Sequence, residues 1–306
     1  MNIHLDVFNN ANSTALQKID ESLFEQHEVS LYIKRIDQVH PLISGNKWYK
    51  LKYNLMHAKE QGYSTLLSFG GAYSNHIHAL AYAGKLTGFQ TVGVIRGEAH
   101  EALNPTLRFA AEQGMQLHYV NREQYRQKEA SPIVQAIIAQ YAPCYVIPEG
   151  GSNALAVRGC REIVNDISFP LDALCCACGT GGTFAGLVQG LSAAQRAIGF
   201  AVLKGASFLE RDVTGLLQTS ESSSKAPWTI CHDYHFGGYA KLTPDLKEFV
   251  LGFEEKHAIA IEPVYTGKML YGVYDMVRRG LFSQGEKIVV VHSGGLQGRE
   301  TAMSRV

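Results

Sequence analysis

The 306-residue chain has no excess of charge of either sign, because its 28 lysines and arginines balance its 28 aspartates and glutamates. Such a surface sets up no field to steer a polyanion or hold a membrane face, so neither nucleic acid nor a membrane is an expected partner. Nor does any apolar run reach the ~20 residues that cross a bilayer, and Met1-Asn2-Ile3-His4-Leu5 lacks the basic and apolar regions of a secretory signal. The six cysteines are too few for a disulfide framework in a chain this long. Cys175 and Cys178 form one C-x-x-C, but no second pair completes a zinc pattern. The twelve histidines also lack ligand spacing: His76 and His78 fall on different faces of a predicted helix, and His232 and His235 in a predicted loop. No metal is therefore expected. Repeats and low-complexity tracts are absent as well. These absences predict a soluble cytoplasmic protein with free thiols and a core large enough for two lobes.

What the chain does contain is a set of apolar runs that empty into glycine turns. Thr65-Leu66-Leu67 leads into Ser68-Phe69-Gly70-Gly71-Ala72-Tyr73-Ser74-Asn75-His76. Ala173-Leu174-Cys175-Cys176-Ala177 leads into Cys178-Gly179-Thr180-Gly181-Gly182-Thr183, and Lys287 to Val291 into His292-Ser293-Gly294-Gly295. Turns of this kind open together at the carboxyl edge of parallel sheets, where α/β proteins bind ligands. The second has the chemistry of a phosphate cradle: glycines let N–H groups converge on one oxyanion, the Thr180 and Thr183 hydroxyls add donors, and the helix dipole favours negative charge. It lacks the Gly-Lys-Ser/Thr ending of a P-loop and the acidic residue of a dinucleotide fingerprint, so a monophosphate suits it better than a nucleotide. In the first turn, Ser74 or Asn75 either caps the following helix or faces an anionic ligand.

A fourth segment marks a candidate nucleophile. Ser44-Gly45-Asn46-Lys47-Trp48 is followed by a second lysine, Lys50. A lysine that attacks a carbonyl must be partly neutral, and burial or a nearby cation such as Lys50 promotes that state. Gly45 permits a tight turn and leaves room for a flat ligand over the backbone.

Between these segments, apolar and helical patterns alternate: helix 51–61, strand 65–68, helix 75–87, strand 91–95, helix 105–113, strand 116–120, helix 133–141 and strand 144–147. This is a parallel βαβ series with right-handed crossovers. It is read as a small α/β domain, 51–159, inserted into a larger one formed by 1–50 and 160–306. The Ser-rich stretch 219–227 is the expected flexible surface loop.

In this order, the motifs Gly-Asn-Lys-x-x-Lys, Ser-Asn-His, the Gly/Thr loop, Gly238-Tyr239, Pro263-Val264-Tyr265-Thr266-Gly267-Lys268 and His292-Ser293-Gly294-Gly295 resemble the fold-type II pyridoxal-phosphate enzymes. More narrowly, they are similar to the 1-aminocyclopropane-1-carboxylate deaminase and D-cysteine desulfhydrase family, from about Lys34 to Gly298. The resemblance implies two open, twisted, mostly parallel α/β domains, a pyridoxal 5'-phosphate cofactor, an amino-acid substrate and a homodimer. By motif, Lys47 matches the Schiff-base lysine, Lys50 a phosphate-holding lysine, and Gly179, Thr180, Gly181, Gly182 and Thr183 the phosphate loop. Asn75 matches the partner of the pyridoxal 3'-oxygen, and Ser74 a residue that meets the substrate carboxylate or assists proton transfer. Tyr265 matches the tyrosine near the reacting amino acid, and Tyr239 a second one.

The family divides at two positions. Its cyclopropane deaminases carry Glu after the tyrosine, as partner of the pyridine nitrogen, and an apolar residue between His and Gly-Gly; this chain has Thr266 and Ser293. A carboxylate strengthens the electron sink and a hydroxyl weakens it. Expelling a thiolate from the β-carbon needs less electron storage than opening a cyclopropane, so the implied reaction is β-elimination, with D-cysteine giving pyruvate, sulfide and ammonia. The cyclopropane deaminase, or another lyase or racemase of the same fold, is the alternative. A nicotinamide oxidoreductase would leave three of the motifs unexplained, and a carrier without turnover would release no product. Tyr73 stands where many members have Gln, and His78 where Arg is common, which allows either a larger β-substituted D-amino acid or a Tyr73 that merely packs under its loop.

Overall fold

A computed structural model describes residues 3–9, 14–99, 102–219 and 224–304. The strands are β1 (Leu16–Ile19), β2 (Ser30–Lys34), β3 (Thr65–Gly71), β4 (Gln90–Arg96), β5 (Gln116–Val120), β6 (Tyr145–Ile147), β7 (Ala173–Cys178), β8 (Arg196–Ala201), β9 (Trp228–Cys231) and β10 (Lys287–Val291). The helices are α1 (Ser22–Gln26), α2 (Asn46–Glu60), α3 (Asn75–Thr87), α4 (Pro105–Glu112), α5 (Arg122–Gln127), α6 (Pro132–Gln140), α7 (Ala154–Asn165), α8 (Gly182–Gly190), α9 (Phe208–Gln218), α10 (Pro244–His257), α11 (Thr266–Arg278) and α12 (Arg299–Met303). They build two sheets. One has the order β1-β2-β10-β7-β8-β9, parallel except for β1, and the other the order β5-β4-β3-β6, parallel throughout.

The sequence of β7, Ala-Leu-Cys-Cys-Ala-Cys, has no polar alternation because both of its faces are covered. Leu174, Cys176 and Cys178 join Val289 and Val291 in one hydrophobic cluster, while Ala173, Cys175, Ile288 and Val290 join another on the opposite face. The thiols of this strand are thus small core side chains, and all six cysteines are free. Glycines bring the helices of the first face close. A Cβ on Gly159 of α7 would lie 1.9 Å from the Tyr49 carbonyl oxygen of α2, and one on Gly186 of α8 would lie 2.4 Å from Cys160 Cβ. Residues 50–51 and 159–160 lie inside α2 and α7, two helices that pack side by side.

Several boundaries differ from those read in the sequence. The helix expected to start at residue 51 starts at Asn46, so Lys47 and Lys50 lie within it. Strand β3 continues to Gly71, three residues beyond its predicted end. Helix α5 was not expected. It is short and polar, and a capping box closes it: Asn121 accepts from the Gln124 backbone while the Gln124 side chain accepts from the Asn121 N–H. Of the predicted loop at 219–227, residues 220–223 lie outside the described residues; Thr219 is the C-cap of α9, and 224–227 lead into β9. Among the described residues no helix is long and apolar enough to cross a membrane.

Candidate active site

Lys47 is fixed by backbone contact between two distant turns. Gly45 has φ +64°, and a Cβ there would sit 1.9 Å from the Ser293 carbonyl oxygen. Only glycine allows this approach, and the Asn46 N–H uses it to donate to that carbonyl at 3.2 Å. The Asn46 side chain then works in two directions: Nδ2 donates to Thr183 Oγ1 at 2.8 Å, and Oδ1 accepts from Lys47 Nζ at 2.8 Å. Burial, and after it the Lys50 charge, lowers Lys47 to about 7, so its amine is partly neutral at neutral pH.

Lys50 is buried one turn further along the same helix, and burial lowers its pKa too. Its Nζ donates to Gly150 O at 2.9 Å, Ser152 Oγ at 2.9 Å and Thr180 Oγ1 at 3.5 Å. The Ser152 and Thr180 hydroxyls are 2.6 Å apart. A Cβ on Gly182 would meet Ser152 Oγ at 2.6 Å and Lys50 Nζ at 3.2 Å, so glycine there makes room for the ammonium beside the loop. Gly181 enters α8 at φ +74°, and the first N–H groups of a helix have no intrahelical acceptor. An ammonium, hydroxyls and helix N–H groups thus converge on one point, a donor set that fits a phosphate.

The β3 turn supplies the opposite wall. Ser74 caps α3 by accepting from the Ile77 N–H at 3.3 Å, so the capping role holds while its O–H proton remains for another acceptor. Asn75 Oδ1 accepts from Gln297 Nε2 at 2.8 Å. Tyr73 is 44% exposed at the cavity wall, not packed beneath its loop. His76 is buried, and its Nε2 meets Ser68 Oγ at 2.8 Å, while that hydroxyl donates to Ile147 O. Its Nδ1 has no hydrogen-bond partner although the side chain lines the cavity. Burial, then Lys47 and Lys50, hold His76 well below 6.5, so the ring is neutral.

Tyr265 lies at the N-cap of α11, over Gly179, whose Cβ would be 3.2 Å from the phenol ring. Burial and the neighbouring Tyr239 raise its pKa well above 10, which keeps it a protonated donor. The two hydroxyls are 3.4 Å apart. Glu262 holds the start of α11, accepting from the N–H groups of Val264 (2.7 Å), Tyr265 (2.9 Å) and Thr266 (2.5 Å). Burial pushes this carboxyl up to about 7, against the pull of those donors. Thr266 is wholly buried and does not reach the cavity, whereas Ser293 does.

The structure therefore brings Lys47, Lys50, Ser74, Asn75, Gly179, Thr180, Gly181, Thr183, Tyr239, Tyr265 and Ser293 around one cavity of about 940 Å³; Gly182 lies behind the wall. The sequence reading missed Ser152 and Gly150, although Glu149-Gly150-Gly151-Ser152-Asn153 after β6 repeats the strand-to-glycine pattern of the other turns. It also missed the bridging role of Asn46. Glu262 and Lys268 stand beside or within the Pro263–Lys268 motif, but nothing in the sequence marks either as a buried charge.

Comparison with known proteins agrees with this geometry. The family described as pyridoxal-phosphate dependent enzyme matches residues 8–294. A Pyrococcus horikoshii protein provisionally named a 1-aminocyclopropane-1-carboxylate deaminase is 31% identical over 280 residues, 88% of this chain and 85% of the relative. The mitochondrial bifunctional D-cysteine desulfhydrase/1-aminocyclopropane-1-carboxylate deaminase of Arabidopsis thaliana is 29% identical over 291 residues, 88% of this chain and 73% of that protein. The crystal structure of an ACC deaminase homologue superposes with a TM-score of 0.81 at 27% identity, covering 96% of this chain and 94% of that one. The chain belongs to the fold-type II pyridoxal-phosphate-dependent enzymes, in the group of the 1-aminocyclopropane-1-carboxylate deaminases and D-cysteine desulfhydrases.

Proposed function

We propose that this enzyme catalyses β-elimination on a D-amino acid, with D-cysteine and water giving pyruvate, hydrogen sulfide and ammonia. The observation that carries the reading is Ser293: the cavity wall beside the Gly45 contact carries a serine where a cyclopropane deaminase is expected to be apolar, whereas Thr266 lies buried away from the cavity. Lys47 would hold the cofactor covalently. Lys50, Ser152, Thr180, Thr183 and the Gly179–Gly182 amides would hold its phosphate, Asn75 its ring oxygen and Ser293 its ring nitrogen. When bound, the cofactor supplies an electron sink for the pair left on the substrate's α-carbon.

The remaining work falls to side chains. When not bonded to the cofactor, Lys47 would take the α-proton as a neutral amine, the form that lowering to about 7 makes available. Ser74 hydrogen-bonds the substrate carboxylate through its free O–H. Tyr265, kept protonated, donates to the departing sulfur with Tyr239 beside it. In the same reading, residues 1–50 and 160–306 form the large domain and 51–159 the small one; all strands of the four-stranded sheet fall in the latter interval. The six free thiols support a reducing cytoplasm, and a homodimer is the expected assembly.

The test is product release from the purified, cofactor-loaded enzyme with D-cysteine, L-cysteine and 1-aminocyclopropane-1-carboxylate in parallel. Pyruvate and sulfide from D-cysteine alone are expected. Oxobutyrate from the cyclopropane, with no pyruvate from either cysteine, would replace elimination by ring opening.

A further inference from the structure

Lys268 has no part in the chemistry above, yet it is buried in the core, 1% exposed. Its Nζ donates to the carbonyl oxygens of Gly238 at 2.7 Å, His235 at 2.9 Å and Val202 at 3.4 Å. Burying an ammonium is costly, and an apolar side chain of similar length would fill this volume without that cost. The reason for a lysine must therefore lie in what its three N–H groups hold.

They hold a strained turn. Phe236, Gly237, Gly238 and Ala240 all have positive φ (52°, 89°, 129° and 53°), and two of the four are not glycine. Such conformations persist only where the surroundings impose them. Local bonds close the turn on itself, Gly238 N–H to His235 O at 3.0 Å and Lys241 N–H to Gly238 O at 3.2 Å. Lys268 ties it to the body of the protein, by bridging the same carbonyls to Val202 just after β8. Tyr239 follows Gly238 directly, and Tyr265 stands three residues before Lys268 at the start of the same helix. One ammonium thus links the turn carrying one phenol to the helix carrying the other, and the two rings meet at 6.0 Å and 72°.

We propose that Lys268 is a positioning residue that fixes Tyr239 against Tyr265 by holding the His235 and Gly238 carbonyls. The inference rests on the reading of the two tyrosines as a paired donor to the leaving group, but its first test does not depend on that reading. Hydrogen exchange of the cofactor-loaded enzyme without substrate should show segment 235–241 exchanging about tenfold faster in Lys268→Met, the scale of losing a buried charged hydrogen bond. Lys268→Gln, which keeps N–H donors, should lie between that variant and the parent, and it serves alone if Lys268→Met does not fold. Protection of 235–241 unchanged in the folded variants, or lost to the same extent throughout α11 and β8, would overturn the proposal. The second test is turnover in a double-mutant cycle with Tyr239→Phe. Lys268→Met should cost about tenfold with Tyr239 present and less than about twofold in the Tyr239→Phe background, the mark of coupled residues. Equal losses in both backgrounds would overturn it. Should no substrate be turned over by the parent enzyme, the reaction reading fails while the exchange result still decides the role of Lys268.

Discussion

Lys47 and Lys50 stand three residues apart at the start of one helix; burial lowers the pKa of both, and the Lys50 charge lowers that of Lys47 further. The folded pKa of Lys47, about 7, lies below its usual 10.5. The folded state therefore binds fewer protons than the unfolded chain between those values. The cost of burying this lysine is complete below pH 7 and disappears as pH rises toward 10.5. Lys47→Met should accordingly stabilise the cofactor-free protein by about 1 kcal/mol or more at pH 6, with a smaller gain at pH 9, read from thermal unfolding. The rate at which cofactor-free protein takes up pyridoxal phosphate, followed by absorbance, should rise through pH 7 and level off above it. Lys47→Ala should abolish both the bound chromophore and turnover. Position 266 carries a different expectation. Because its side chain is wholly buried beside the Glu262 carboxylate, Thr266→Glu should cost about 3 kcal/mol or more in stability and should not convert the enzyme into a cyclopropane deaminase. At this scale, motifs were legible wherever glycine, serine, threonine and lysine occur at turn spacing. What Asn46, Glu262 and Lys268 bond to was not legible, although all three stand in or beside such motifs, since their partners are distant in the chain or are backbone atoms that any sequence possesses.

Among the elements, α2, α7 and α8 form the platform that carries both lysines and the phosphate-type cradle, and glycine sets their spacing. Gly159→Ala would push a methyl group into the Tyr49 carbonyl of α2. It should destabilise the protein by about 2 kcal/mol or more and weaken cofactor retention, although it lies outside the cavity. Gly252→Ala is the control. It lies within α10 with nothing within 4 Å of the added methyl, so a gain of about 0.5–1 kcal/mol is expected from helix propensity. Long elements of consistent period, such as α3 and β4, could be located closely from the sequence. Helix α5 could not, because a capping box at Asn121 and Gln124 makes it and apolar periodicity does not. The start of α2 was displaced because the Gly45 turn, closed by a contact with Ser293, is set by tertiary structure.

On the scale of the whole molecule, two largely parallel sheets direct their carboxyl-end turns into one cavity, with Lys50 beside Thr180 and the start of α8. Inorganic phosphate should therefore stabilise the cofactor-free protein by about 2.7 kcal/mol at a hundred times its dissociation constant, read as a higher melting temperature. Lys50→Met should remove most of that gain. The two-sheet plan was legible from the alternation of strands and helices, but strand order was not. Nothing in the residues of β10 announces that it lies between β2 and β7. That placement governs how the protein is made. During synthesis, β2 must wait at an open sheet edge until residues 287–291 emerge and slide in beside it. The contact between Gly45 and Ser293 forms later still, so a ribosome-bound chain halted before β10 has its lysines but no finished place to put them.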